Sequence, residues 1–148
     1  MRLKFRSQGQ AEQYYKICRG ILEENSRGPE DGRLGRELIR NAIYRGFGFR
    51  NFCGFQRDFA PNERIAEWFH TEEQLTQAFS LAFEGAIEVA RQRRFEAGVA
   101  APELVSLAIG RAVEINDRAL QRLIGVPSTS KRRIPQGPRC NRKLLQRN

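Results

Sequence analysis

Residues 71–91 read TEEQLTQAFSLAFEGAIEVAR, and this stretch decides the fold class. Leu75, Phe79, Ala82, Phe83, Ala86, Val89 and Ala90 recur at intervals of three and four residues. That spacing places them on one face of an α-helix. Thr71 and Gln74 stand where a capping box needs them. The threonine hydroxyl accepts from the third helical N–H, and the glutamine reaches back to the cap. Arg91, Arg93 and Arg94 follow near the end, where the negative pole of the helix dipole favours cations, and Gly98 is the expected stop. Downstream, Pro102 opens another helix carrying Leu104, Ala108, Ala112, Ile115, Ala119 and Leu123, with Gly125 and Pro127 as its terminator. A short Gly/Ala/Pro link joins the two helices, which predicts an antiparallel hairpin.

Upstream, Ala11, Tyr14, Tyr15, Cys18, Ile21 and Leu22 predict a helix over 10–24, and Leu34, Leu38, Ile39, Ala42 and Ile43 predict a second over 34–44. Asn25–Gly32 is rich in turn residues. The expected fold is all-α, a helical bundle built on the long C-terminal antiparallel hairpin. One domain spans 1–125, with a Gly/Phe-rich loop at 45–60, and a flexible basic tail spans 126–148. Pro61 is expected to open a short helix through Trp68 and Phe69.

Charge is distributed unevenly. The chain of 148 residues carries a formal +9. Lys131, Arg132, Arg133, Arg139, Arg142, Lys143 and Arg147 lie in 126–148 with no acidic residue among them. Arg2, Lys4 and Arg6 add three more at the other end, and the 119 residues between hold 16 basic and 17 acidic side chains. A near-neutral body with cationic ends is suited to a polyanion, because each Lys or Arg that meets a phosphate releases condensed counterions. The tail is the first candidate nucleic-acid contact. Its other reading is a solvated or targeting segment.

The second candidate is RGFGFRNF, residues 45–52, in which Arg45, Phe47, Phe49 and Arg50 are the residues of interest. It resembles the third-strand signature of the RNA-recognition motif at seven of eight positions, departing at Arg50, where that family has an apolar core residue. The resemblance implies alternate aromatics stacked on bases and a four-stranded sheet. Without that sheet, the same residues form a loop that stacks on single-stranded bases, or phenylalanines that fill the core. LQRLIGVPSTSKRRI, residues 120–134, resembles half of a helix-turn-helix. It departs at Gln121 and Lys131, and Pro135 shortens the recognition helix.

Chemistry has few residues to work with. His70 is the single histidine, and Cys18, Cys53 and Cys140 lie far apart. No two of these four have the short spacing that begins a zinc site, and a Cys53–His70 nucleophile pair has no local signature. Glu84 and Glu88 share a helix face without the Glu-x-x-His partner of a di-metal site. No phosphate-cradling glycine loop occurs. No catalytic residue, metal or cofactor is therefore expected. Three scattered cysteines predict a reducing, intracellular and cytoplasmic setting. No apolar run is long enough for a membrane span, so no membrane partner is expected. The sequence thus predicts a non-enzymatic protein that binds nucleic acid, RNA or DNA, with RNA or a single strand preferred. Other protein subunits of a nucleoprotein complex are expected beside it. The alternative is a protein-interaction module, an adaptor or inhibitor, using the hairpin or the aromatic loop.

Overall fold

A computed structural model describes residues 2–28, 36–61 and 70–125. Among them are five helices: α1 (Gln8–Glu24), α2 (Arg36–Gly46), α3 (Phe52–Asp58), α4 (Glu72–Gln92) and α5 (Ala101–Ile124). Two-residue strands β1 (Ser26–Arg27) and β2 (Glu96–Ala97) pair antiparallel, Ser26 opposite Ala97. The protein is mostly helical, in keeping with an all-α chain. The chain divides into two compact units, Met1–Asn116 and Asp117–Asn148. In the second, the described residues are the last turns of α5 and Gly125, which closes the helix with φ 77°.

Local sequence explains most of the helix ends. Ser7 caps α1, its Oγ accepting from the Gln10 amide at 3.1 Å. The capping box of α4 forms in full. The Gln74 amide donates to Thr71 Oγ1 at 3.1 Å, and the Thr71 amide donates to Gln74 Oε1 at 2.9 Å. Two expectations need correction. The segment 45–60 is not helix-free, because Arg45 and Gly46 finish α2 and Phe52–Asp58 form α3. Asn51 starts that helix by accepting from the Gly54 amide at 2.7 Å, and burial of Phe55 outweighs the glycine's weak helix propensity. Likewise α4 stops at Gln92, not at Gly98. Arg94 adopts the left-handed conformation (φ 68°), and the Phe95 amide folds back to the Ala90 carbonyl at 2.9 Å. Gly98 instead donates its amide to the Asn25 carbonyl at 2.6 Å, extending the β1–β2 pairing. The short helix expected after Pro61 lies outside the described residues.

The core of the first unit is aromatic and closely packed. The most extensive helix packing is between α2 and α4, where small residues let the backbones approach. A Cβ added at Gly46 would collide with the Ala82 backbone, and Gly85 faces Ala42. Leu75, Phe79, Ala82, Phe83, Ala86 and Ala90 are buried along α4, as its period predicts. Around them Phe5, Tyr14, Tyr44, Phe47 and Phe55 meet ring to ring at centroid separations of 4.9–6.3 Å. On α5, Leu104, Ala108 and Ala112 are buried. Asn116 reaches α1 through Gln10 and Tyr14.

Candidate nucleic-acid interface

The N-terminal arm before α1 alternates like a strand. Arg2 and Lys4 face solvent, while Leu3 and Phe5 plug into the core. Backbone bonds fix it in place, with the Leu3 amide donating to the Phe47 carbonyl at 2.9 Å. His70 Nε2 lies 2.7 Å from the Lys4 carbonyl, which can only accept, so Nε2 carries the proton. Nδ1 is then the acceptor for the Tyr14 hydroxyl at 2.9 Å. That hydroxyl accepts from Asn116 Nδ2 at 2.8 Å, and Asn116 Oδ1 accepts from Gln10 Nε2 at 3.1 Å. Gln10 Oε1 accepts the Arg6 amide at 2.9 Å. The donors and acceptors run in one direction, from one point of the arm through the core to another. Burial depresses the His70 pKa, partly offset by the Lys4 carbonyl, which favours the neutral ring this chain requires. Burial also pushes the Tyr14 pKa up to about 12, the Asn116 bond opposing it.

The arm lies on the turn that joins α2 to α3. Gly48 takes φ 103° there, a conformation that favours glycine, and the Phe49 amide returns to the Tyr44 carbonyl at 3.0 Å. Phe47 is 0% and Phe49 7% exposed. Their rings face the core, so the reading in which both stack on bases gives way to the core-filling one. Among the described residues the sheet implied by the RNA-recognition resemblance does not form, since the strands there are two residues long and lie elsewhere. Arg45 and Arg50, by contrast, are exposed. Arg2 joins them. Its Nε donates to the Gly48 carbonyl at 3.2 Å and its guanidinium sits 4.7 Å from the Phe49 ring centroid. Arg57 closes the group, because the stem of Arg50 and the guanidinium of Arg57 both border Gly54. Arg57 Nε also pairs with Asp58 Oδ1 at 3.3 Å.

The structure therefore brings the basic N-terminus onto the Arg45–Arg57 segment, two features that the sequence shows 40 residues apart. Sequence reasoning does not single out Arg2, Lys4 or Arg57 as site residues. A signal for the first two exists in the polar–apolar alternation of 2–5. A hollow of about 310 Å³ opens beside this surface, lined by Arg2, Lys4, Phe49, Asp58, Phe59 and Pro61 among others. Lys131, Arg132, Arg133, Arg139, Arg142, Lys143 and Arg147 lie outside the described residues, as does most of the helix-turn-helix resemblance after Gly125.

The candidates for chemistry are not assembled into a catalytic pair. Both His70 nitrogens are engaged, leaving no lone pair for the exposed Cys53 thiol. Cys18 is buried, and burial pushes its thiol pKa up, away from the nucleophilic thiolate. Glu88 pairs with Arg91 at 2.8 Å on an exposed helix face. Among the described residues no helix is long and apolar enough to cross a membrane. Compared with protein families, curated proteins and solved structures, the chain matches none.

Proposed function

We propose that this chain is a non-enzymatic nucleic-acid-binding protein, with RNA or a single strand preferred, serving as an accessory subunit of a nucleoprotein complex. The observation that carries the proposal is the placement of charge. The net +9 sits at the two ends of the sequence, and the N-terminal end is pinned on the turn at residues 47–49, with the exposed Arg50 and Arg57 following in the same segment. A cationic face that includes a stacked arginine suits a phosphate backbone with bases nearby. The single-strand preference rests on the hollow at Arg2 and Phe59, since Phe47 and Phe49 are committed to the core. In the same reading the seven basic residues of 126–148 supply further phosphate contacts, and α4 and α5 form the antiparallel hairpin of the bundle. The free thiols of Cys18 and Cys53 fit work in the reducing cytoplasm.

A protein-interaction module is the second reading. It is favoured by the exposed Leu81 on α4 and the exposed Leu107 and Val113 on α5. A hollow of about 360 Å³ also lies between these helices, lined by residues such as Thr76, Ser80, Val105 and Ile109. Purification of the intact chain from cells without nuclease treatment separates the two. Under the main reading the protein carries nuclease-sensitive nucleic acid. A preparation that holds a stoichiometric protein partner and no nucleic acid favours the second.

A further inference from the structure

The hollow beside the N-terminal arm has a lining more specific than a generic cationic face requires. Its volume of about 310 Å³ is at the small end of ligand pockets, which begin at roughly 300 Å³. That is room for one base or nucleoside. Arg2 contributes a flat cation, one face of which lies on the Phe49 ring while the Gly48 carbonyl holds its Nε. A guanidinium held against a ring presents its opposite face as a stacking platform. Phe59, half-buried and packed 5.4 Å from Phe55 centroid to centroid, adds a second π surface. Asp58 is the informative member. A carboxylate in a face built for phosphates weakens the attraction for the backbone, so its presence points to another role. Its Oδ1 is held by Arg57 at 3.3 Å, the side chain is 43% exposed, and among the described residues Oδ2 has no hydrogen-bond donor.

We propose that this hollow binds one unpaired nucleobase bearing an exocyclic amine, cytosine being the simplest case, within a single-stranded nucleic acid. The proposal rests on the nucleic-acid-binding reading and narrows it. The base stacks on Arg2 and Phe59, its amine donates to Asp58, and the flanking phosphates meet Arg50, Arg57 and Lys4. A carboxylate only accepts hydrogen bonds. It therefore selects the cytosine N4 amine over uracil, which has a carbonyl at that position. Pairing would occupy the amine, which restricts the site to single strands.

The test is fluorescence anisotropy of the full chain with labelled oligomers of cytidylate and of uridylate, matched in length, each over a range of salt. Discrimination by one good base interaction runs from roughly 5-fold to 150-fold, so the native chain should prefer cytidylate by at least about 5-fold. Asp58→Asn should abolish that preference, since its amide can also donate to a uracil carbonyl. It should leave the slope of log affinity against log salt nearly unchanged. Equal affinity of the native chain for both oligomers, at a normal salt slope, overturns the site while leaving the broader function intact. A preference that survives Asp58→Asn does the same. If neither oligomer binds in a salt-dependent way, the nucleic-acid reading fails and the site falls with it.

Discussion

Phe47 and Arg50 lie three residues apart and have opposite tasks. The first is fully buried among Phe5, Tyr14, Tyr44 and Phe79, and the second is exposed. Phe47→Ala should therefore cost about 3–5 kcal/mol of stability, read as a lower urea midpoint at constant m-value. Arg50→Gln should leave that midpoint unchanged and weaken binding to single-stranded RNA. The sequence could not distinguish the two roles, because an aromatic–glycine string has the same composition in a binding loop and in a core turn. His70 gives a second residue-scale prediction. Its pKa is depressed by burial from an ordinary value of 6.5. Below pH 6.5 the unfolded chain takes up a proton that the folded chain resists, so stability falls as pH drops toward the depressed folded value. A charged ring would also force Nδ1–H toward a Tyr14 hydroxyl already accepting from Asn116. Melting temperature should decline from about pH 7 to about pH 5, across the ordinary histidine range, and His70→Gln should flatten that window. An unchanged pH profile in the variant contradicts the role given to the ring.

At the scale of elements, α1, α2, α4 and α5 were legible because a stripe of period 3.6 survives any detail of packing. The expected stripe is not buried throughout: on α5 it is buried at Leu104, Ala108 and Ala112, half-buried at Ile115 and Ala119 and exposed at Leu123, and Leu38 of α2 is exposed as well. What escaped was set by tertiary packing. Helix α3 is seven residues long and contains Gly54, so propensity argues against it. Its Asn51 cap and the burial of Phe55 sustain it. The end of α4 was also hidden, since an arginine carries no signal for a left-handed conformation. Arg94→Gly should relieve that strain and stabilise the protein by about 0.5–1 kcal/mol, a part of the roughly 1–2 kcal/mol that such a conformation costs a non-glycine residue. Thermal denaturation measures it, and a loss of stability would show that the arginine side chain contributes more than its backbone costs. The α2–α4 packing is tested by Gly46→Ala. The added methyl would collide with the backbone and Cβ of Ala82, so a destabilisation of about 1–3 kcal/mol is expected. A neutral result would mean that the two helices separate easily.

For the whole molecule, the governing feature is the distribution of charge: residues 7–125 are nearly neutral and the net +9 lies at the two ends of the sequence. Charge at both ends was readable directly from the sequence. The adjacency of the N-terminal arm to Arg45–Arg57 was not, because it depends on Leu3 and Phe5 docking against the turn after α2. The two cationic regions should contribute separately to binding, and the number of phosphates neutralised sets the salt dependence. The most direct measurement compares the intact chain with a variant in which Lys131, Arg132, Arg133, Arg139, Arg142, Lys143 and Arg147 are all replaced by glutamine. Affinity for single-stranded RNA is followed from low to high salt. The intact chain should bind with a steep negative log–log slope, and the variant's slope should be shallower by about 0.7 for each phosphate it no longer neutralises. Identical affinity and slope in the two proteins, or binding by the intact chain that salt does not weaken, would contradict the account.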